Sequence, residues 1–277
     1  MCGPAGKVKK LKLREIFQGF GGFIIDIEGV LIKGEKLITG APEALAVLRE
    51  AKIRPVFLSN ISDLTGQEVA ARLKRSGLDI PPGQILTSAL AAALFLAEKH
   101  PAKKNLLLIG SDSFRQELTD RGFNMVEDHE DADAVVVGLD YALNYDKICA
   151  AARAIKKGSL FIAANLAKIK LTADNYIVGP GFVAMGLAFV TGKSPEVVGK
   201  PGSFMFRLAL DKLGLKPAEV LTIGDKLEQD IYGGHSMGTG TCLVLSGAAV
   251  RSDIAAINKD YRPDFVLESI FELVEPA

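Results

Sequence analysis

The stretch FIIDIEGVLIKG, residues 23–34, decides how this chain is organised. Its apolar run, residues 23–25, is typical of a buried parallel strand. Asp26 follows where the run stops, Glu28 comes two residues later, and Gly29 permits a turn. If the extended conformation continues, positions 26 and 28 point the same way. Two such carboxylates repel each other unless a cation or a reaction uses them, and the alternative is an exposed loop with two solvated acids.

The composition limits the class of protein. With 277 residues, 48% of them hydrophobic, the chain can form one large domain or two modest ones. Lys+Arg and Asp+Glu both total 33, so nothing suggests a nucleic-acid partner. The cysteines and histidines lack the spacing of a disulfide framework or a zinc site. Because no apolar run reaches the roughly 18 residues of a membrane span, we expect a cytoplasmic protein without a membrane partner.

Apolar strands alternate with helical stretches almost throughout, which is typical of βα units on a parallel sheet. Turn-forming segments interrupt this alternation at PPG, residues 81–83, and at GPG, residues 179–181. We predict an α/β fold in which residues 1–83 and 179–277 form the core and residues 84–178 form a smaller α/β module inserted between them. Such an insertion is physically undemanding, because the two ends of a loop already lie close together.

Polar side chains follow four predicted strands of the outer thirds. They are Asp26, the pair Ser59 and Asn60, Lys200 and Asp225. In an open α/β sheet, ligands bind outside the carboxyl ends of the strands. Taken alone, Ser59 would more often be a helix cap and Lys200 a surface lysine. Together the groups suit a phosphoryl group beside Mg²⁺, because carboxylates hold the ion while a lysine and neutral donors hold the phosphate oxygens.

The segment GDKLEQDI, residues 224–231, strengthens this interpretation. Asp225 falls at the end of a predicted strand, and Asp230 falls in the following helix or its first turn. The turn between them is expected to bring both acids to the same edge of the sheet as Asp26. The alternatives are a helix N-cap at Asp225 and a solvated helix acid at Asp230.

The ordered set DIEGV, VFLSN, VVGKPG and GDKLEQDI resembles the haloacid dehalogenase (HAD) superfamily of phosphohydrolases. The insert between the second and third motifs, with an Asn-Leu pair at 165–166, resembles class IIA, the NagD-like and p-nitrophenyl-phosphatase-like enzymes. The resemblance covers the chain from about residue 20 to residue 273. It implies a Rossmann-like HAD core with an inserted C2-type α/β cap, and a Mg²⁺ cofactor.

The resemblance also implies a role for each matched residue of the core. Asp26 matches the nucleophile that attacks phosphorus and becomes an aspartyl phosphate. Ser59 matches the hydroxyl that holds the transferring phosphoryl group, and Asn60 lies beside it. Lys200 matches the lysine that offsets charge on the nucleophile and the phosphate.

The remaining matches concern the metal and the cap. Asp225 matches a Mg²⁺ ligand, together with Asp26 and the main-chain carbonyl of Glu28. Asp230 matches the acid that orients the metal and lysine edge. Asn165 matches a cap position that faces the substrate.

Two residues depart from the family pattern. The family's phosphatases place Asp two residues after the nucleophile as general acid and base, whereas this chain has Glu28. The reference pKa values of Asp and Glu differ by only about 0.4 unit, but one extra methylene moves the carboxyl by roughly 1 Å, which can cost about a hundredfold in rate. We therefore expect either a slowed phosphatase or a Glu28 that folds back to compensate. Family members often carry an acid two residues after the cap asparagine, whereas this chain has Ala167. The identity of the substrate therefore cannot be inferred from that of the relatives.

The leading hypothesis is a Mg²⁺-dependent phosphatase of small phosphorylated metabolites, such as sugar phosphates, nucleotides or p-nitrophenyl phosphate, which forms a homodimer through its cap. The alternative is a catalytically impaired relative that binds a phosphorylated ligand, as Glu28 and Ala167 suggest. A signalling receiver domain also places an aspartate, a hydroxyl and a lysine at strand ends. Such a domain is far shorter, however, and lacks the insert.

Overall fold

The structure, a computed structural model, describes residues 11–172, 175–255, 257–258 and 261–277. The strands are β1 (Leu11–Leu13), β2 (Gly22–Ile25), β3 (Ile32–Lys33), β4 (Lys36–Leu37), β5 (Arg54–Ser59), β6 (Ile85–Thr87), β7 (Asn105–Ile109), β8 (Asn124–Met125), β9 (Ala134–Val137), β10 (Leu160–Ala163), β11 (Ile169–Leu171), β12 (Tyr176–Val178), β13 (Glu196–Val197), β14 (Val220–Gly224), β15 (Gly240–Val244), β16 (Phe265–Leu267) and β17 (Val274–Pro276). The helices are α1 (Ala41–Glu50), α2 (Gly66–Arg75), α3 (Ser88–Lys99), α4 (Asp112–Thr119), α5 (Tyr145–Lys157), α6 (Pro180–Thr191), α7 (Ser203–Leu213), α8 (Tyr232–Ser236) and α9 (Arg251–Ala255).

The larger sheet, called here the core sheet, has six parallel strands in the described part of the chain, in the order β16-β15-β14-β2-β5-β6. Strand β2 is central and pairs with β14 and β5, so that Ile25 lies opposite Ile223 on one side and Phe57 on the other. All four residues of β2 are buried. A strand that is apolar along its whole length fits a parallel sheet covered on both faces. The predicted α/β class and parallel-sheet core are therefore confirmed.

The smaller sheet, called here the cap sheet, has the order β13-β10-β9-β7-β8. Helices α5 and α6 pack on one face of it through an apolar cluster that includes Ile155 and Leu187. The alanine-rich helix α3 packs on the other side, in a cluster that joins Leu58 of the core sheet to Leu108 of the cap sheet. The inserted α/β cap is therefore packed against the core through α3. Within the described ranges, every helix is too short or too polar to span a bilayer.

The sheets differ in two places from the predicted division at residues 84 and 178. Strand β6, predicted in the cap, pairs with β5 in the core sheet. Strand β13, predicted in the core, pairs with β10 in the cap sheet, and α6 also packs on the cap sheet. Lys200 therefore follows a cap strand, and the expectation that it ends a core strand is wrong. A short apolar run indicates a strand, but its pairing partner depends on long-range contacts.

Candidate active site

The chain does not remain extended after β2. Strand β2 ends at Ile25, and Gly29 turns the backbone with a φ of 82°. The Gly29 N–H donates to the Ile32 carbonyl at 2.7 Å. A Cβ at Gly29 would lie 2.1 Å from Asp225 Oδ2, so only glycine permits this close approach. The turn places the backbone at Gly29 directly against Asp225. It also sends the side chains of Asp26 and Glu28 to different partners, Lys200 and Arg72.

Three carboxylates form the centre of the site. Asp26, Asp225 and Asp230 each offer an oxygen atom, and these atoms lie within 4.8 Å of one another. The three residues are 5%, 2% and 1% exposed, respectively. Asp225 directly follows β14, and Asp230 lies in a single π-helical turn, Leu227–Ile231. The structure thus brings together the three acids that the sequence placed at one edge. We call them the carboxylate cluster.

Lys200 connects two members of the carboxylate cluster. Its Nζ lies 2.8 Å from Asp26 Oδ1 and 2.5 Å from Asp230 Oδ1, and the residue is 4% exposed. The Asn60 carboxamide fixes the lysine backbone, because it accepts from Lys200 N at 2.8 Å and donates to Lys200 O at 3.0 Å. Ser59 is buried at the end of β5, and its hydroxyl accepts from Ile61 N at 3.3 Å.

A second lysine, Lys226, also contacts the carboxylate cluster. Its Nζ lies 2.7 Å from Asp225 Oδ1 and 3.8 Å from Asp26 Oδ2. The sequence interpretation assigned roles only to the acids of GDKLEQDI and missed this residue. The sequence signal that could have indicated Lys226 was its position directly after the strand-end acid Asp225. A lysine in that position is more often exposed to solvent, and its direction became clear only from the turn that follows it.

Burial and the two lysines set the protonation of the cluster. Burial favours a neutral Asp26, but the ammonium groups of Lys200 and Lys226 outweigh it and lower the pKa of Asp26. At Asp230, burial dominates over the attraction of Lys200 and raises the pKa to about 6. Burial, together with the charge of Asp26, raises the pKa of Asp225. Of the three acids of the cluster, Asp26 is therefore the one that the site most strongly holds in its charged form.

The cluster has the chemistry of a divalent-metal site. Among the described residues, three carboxylates face two ammonium groups, so the cluster carries excess negative charge. Carboxylate oxygens are the hard ligands that Mg²⁺ and Ca²⁺ prefer. Glycine surrounds the acids: a Cβ at Gly224 would lie 2.2 Å from the Asp230 side chain, and one at Gly247 would lie 2.1 Å from Asp225 Oδ2. The residues present therefore fit a bound divalent cation.

Glu28 lies apart from the carboxylate cluster and contacts a residue that the sequence did not indicate. Its Oε1 lies 2.8 Å from Arg72 NH2, and its Oε2 accepts from the Gly34 N–H at 3.3 Å. Burial raises the pKa of the Glu28 carboxyl, and Arg72 acts in the opposite direction. Arg72 belongs to α2, between the buried residues Val69 and Leu73 and facing the turn after β2. An arginine in an amphipathic helix gives no sequence signal for such a contact.

Asn165 links the cap to the core. The residue is 1% exposed, and its Nδ2 donates to Asn60 O at 2.7 Å and to Ser88 Oγ at 3.1 Å. Its Oδ1 accepts from Ala167 N at 2.9 Å. These bonds give Asn165 a positioning role at the junction of the two sheets. Its contact with substrate stays a prediction.

A cleft of about 630 Å³ separates the core from the cap beside Glu28. Residues that line it include Gly34, Asp63 and Arg72 of the core and Ser111, Tyr141 and Lys170 of the cap. Asp63 bridges the two sides, because its carboxylate accepts from the Tyr141 hydroxyl at 2.9 Å and is ion-paired with Lys170. Arg72 and Gly34, the two residues that contact the Glu28 carboxyl, both line this cleft.

The parallel-sheet core, the inserted cap and the strand-end carboxylates define a HAD-type hydrolase, and comparison with known proteins agrees. A sequence profile for haloacid dehalogenase-like hydrolases matches residues 23–124, and a HAD-hydrolase-like profile matches residues 197–273. The acid sugar phosphatase of Staphylococcus epidermidis is 31% identical over 91% of this chain and 95% of its own.

Two solved structures share the fold over most of their length. A p-nitrophenyl phosphatase from Archaeoglobus fulgidus is 32% identical, with a TM-score of 0.84 over 92% of this chain and 98% of its own. The glycerol phosphate phosphatase Rv1692 from Mycobacterium tuberculosis, in complex with magnesium, is 28% identical, with a TM-score of 0.87 over 94% of this chain and 78% of its own.

The chain belongs to the haloacid dehalogenase-like hydrolases, in class IIA with the NagD-like and p-nitrophenyl-phosphatase-like enzymes. It is a phosphatase of this family, that is, a phosphoric monoester hydrolase. The resemblance carried by the four motifs is thereby confirmed.

Proposed function

We propose that the protein is a Mg²⁺-dependent phosphatase that hydrolyses small phosphate monoesters through a phosphoaspartate formed on Asp26. One observation carries this proposal. Asp26, Lys200 and Asp225, which lie far apart in the sequence, meet at one buried cluster whose carboxylate oxygens lie within 4.8 Å. A nucleophile, a cation for the phosphate and a metal ligand are the groups that phosphoryl transfer to a carboxylate requires.

The binding groups act first. Asp26, Asp225 and the main-chain carbonyl of Glu28 would hold Mg²⁺, with Asp230 beside them. When bound, the ion offsets charge on the phosphoryl oxygens and on the nucleophile. The buried Lys200 ammonium, fixed by its bonds to Asp26 and Asp230, adds a second positive charge at the phosphate. The Ser59 hydroxyl donates to a phosphoryl oxygen from the neighbouring strand.

The reaction then has two steps. In the first, the Asp26 carboxylate bonds to phosphorus, the phosphorus–oxygen bond to the leaving group breaks, and the Glu28 carboxyl gives its proton to the leaving oxygen. In the second, the Glu28 carboxylate takes a proton from water, and the resulting hydroxide bonds to phosphorus. The bond between phosphorus and Asp26 breaks, which releases inorganic phosphate and restores both acids.

The cleft supports a small polar substrate. Its lining includes charged side chains and hydroxyl groups from both the core and the cap, such as Arg72, Lys170 and Ser111. The relatives are named for compounds of this kind, one as an acid sugar phosphatase and another as a glycerol phosphate phosphatase. We assign sugar phosphates and similar short monoesters to this protein as its substrate class.

A panel of phosphate monoesters, assayed with and without Mg²⁺, tests the proposal. We expect p-nitrophenyl phosphate and at least one sugar phosphate to be hydrolysed with Mg²⁺, and Asp26→Asn to lower this turnover by more than about a thousandfold. Wild-type turnover no greater than that of Asp26→Asn would refute the phosphatase. Tight binding of phosphate without turnover would instead support the phospho-ligand-binding alternative.

The outer face of α6 supports a homodimer through the cap. Phe182, Met185 and Phe189 follow helical spacing and are 66%, 55% and 91% exposed. Large apolar side chains grouped on one helix face are typical of a protein–protein interface. A second copy of this chain is the assigned partner. Sedimentation should give a dimer for the wild type and a monomer for Phe189→Glu, and an equal mass for both proteins would contradict this assignment.

A further inference from the structure

Glu28 reaches further from the backbone than the aspartate that its family places at the same position. The glutamate side chain has one more rotatable bond than that of aspartate, so its carboxyl can take more positions unless other groups hold it. A general acid must lie within hydrogen-bond distance of the leaving oxygen. A Glu in this place therefore needs an anchor that an Asp does not need.

The structure contains such an anchor. Arg72 NH2 lies 2.8 Å from Glu28 Oε1, and the Gly34 N–H donates to Glu28 Oε2 at 3.3 Å. Both carboxyl oxygens are thus engaged, one by a charged group and one by the backbone. Because an ion-paired hydrogen bond is stronger than a neutral one, the contact with Arg72 dominates.

Arg72 is itself held in place. Its NH2 donates to the Gly34 carbonyl at 2.7 Å, and its Nε donates to Glu35 Oε1 at 3.1 Å. The helix that carries it begins with a capping box between Thr65 and Glu68. The side chain of Arg72 is only 12% exposed. A rigid, largely buried arginine can define the position of the carboxyl that it binds.

The residues that hold the Glu28 carboxyl also border the cleft in which the leaving group is proposed to lie. Arg72 and Gly34, which hold the two oxygens of the Glu28 carboxyl, line the cleft between core and cap, and Glu28 follows Asp26 by two residues. A phosphate bound at Asp26 would extend its leaving group toward this cleft. The leaving oxygen would then pass the Glu28 carboxyl.

We propose that Arg72 is a positioning residue that holds the Glu28 carboxyl at the leaving oxygen and so makes a glutamate effective where related enzymes use aspartate. This inference rests on the proposed phosphatase function. In the described part of the chain, the Arg72 side chain makes its polar contacts with Glu28, Gly34 and Glu35, and none with the acids of the carboxylate cluster. Its effect on the reaction passes through Glu28.

The first test compares two leaving groups. An alkyl alcohol such as glycerol needs a proton to leave, whereas p-nitrophenolate leaves without one. In Arg72→Gln, we expect kcat for glycerol phosphate to fall roughly 10- to 100-fold with KM changed less than about twofold, because a misplaced acid impairs the transition state. With p-nitrophenyl phosphate, the initial burst of p-nitrophenol should keep its rate, while the later steady state, which needs Glu28 as base, should slow.

The second test is a double-mutant cycle with Glu28→Asp. The aspartate side chain is one methylene group shorter than that of glutamate, so its carboxyl does not reach the position at which Arg72 contacts Glu28. If Arg72 acts through Glu28, Arg72→Gln should change kcat less than about threefold in the Glu28→Asp background. Arg72→Lys, which keeps the charge but not the planar fork, should recover part of the lost rate.

Three controls separate positioning from folding. Arg75→Gln changes an exposed arginine at the end of the same helix and should leave kcat unchanged. Thermal unfolding of each variant identifies losses that come from instability, and in that case Arg72→Lys replaces Arg72→Gln in the comparison. A kcat for Arg72→Gln equal to that of the wild type would overturn the inference. A burst of p-nitrophenol that slows as much as kcat for glycerol phosphate, or an equal loss of kcat in the Glu28→Asp background, would overturn it as well. Absence of Mg²⁺-dependent turnover in the wild type would instead refute the proposed function.

Discussion

The carboxylate cluster and the core–cap cleft both contain opposed charges, but they hold them differently. In the cluster, Asp26, Asp230 and Lys200 are each no more than 5% exposed and contact one another directly. In the cleft, the lysine that pairs with the buried Asp63 keeps 27% of its side chain exposed. A buried charge that loses its partner cannot be hydrated, whereas one beside a cleft can be. The cluster is therefore fixed for chemistry, and the cleft can adjust to different substrates.

The largest effect should follow the loss of Lys200 from the cluster. Lys200→Ala leaves Asp26 and Asp230 buried without their shared cation, which we expect to destabilise the metal-free protein by about 3–5 kcal/mol and to lower kcat more than about 100-fold. Chemical denaturation and steady-state kinetics measure the two effects. Lys193→Ala, at an exposed position, is the control and should change stability by less than about 0.5 kcal/mol. A similarly small change at Lys200 would remove the distinction between cluster and cleft.

The acidity of the cluster should control its metal affinity. Because burial raises the pKa of Asp230 to about 6, protons compete with Mg²⁺ at lower pH. We expect the Kd for Mg²⁺ to be constant above about pH 6 and to rise roughly tenfold for each pH unit below it. Calorimetric titrations across this range measure the trend. Asp230→Asn should show a shallower dependence, and a Kd for the wild type that does not change with pH would contradict the expectation.

Lys226 should compete with the metal for the same oxygens. Its ammonium group lies 2.7 Å from Asp225 and 3.8 Å from Asp26, both of which are proposed metal ligands. In Lys226→Met, we expect Mg²⁺ to bind about 5- to 10-fold more tightly, because this cation no longer has to be displaced. The metal-free protein should at the same time unfold at a lower temperature. Lys226→Arg keeps the charge and serves as the control; equal Kd values for wild type and Lys226→Met would disprove competition.

The smallest effect should come from the cleft. Asp63→Asn weakens the bridge to Lys170 and Tyr141, which we expect to lower the free energy of unfolding by about 1 kcal/mol. Faster hydrogen exchange of the cap segment that contains Tyr141 would measure the weaker attachment, and kcat should change little. Tyr141→Phe removes only the hydroxyl and should give part of this effect. A loss of kcat as large as that of Lys200→Ala would show that the bridge belongs to the reaction centre.

The sequence predicted the members of the carboxylate cluster because local rules apply to them. Asp26 and Asp225 each come directly after an apolar strand, and parallel strands end at the same edge of a sheet. The same rules could not predict the contacts of Arg72 or Lys226. Each of these side chains is long, and its direction depends on a neighbour that is distant in sequence or on a turn that only the folded chain defines. Long basic side chains are also common on protein surfaces, so their presence in a motif carries little information.

By itself, the sequence determined the alternation of strands and helices, the presence of an inserted module and the strand-end acids of the proposed site, because hydrophobic periodicity and strand-end position are local properties. It indicated Lys200 through the VVGKPG motif, since the strand before this lysine joins the cap sheet. Only the tertiary structure decided that β6 joins the core sheet and β13 the cap sheet, that Lys226 contacts Asp225 and Asp26, and that Glu28 is held by Arg72. These features depend on contacts between residues far apart in the chain, or on the path of a turn. Such contacts stabilise the protein only after folding has brought both partners together.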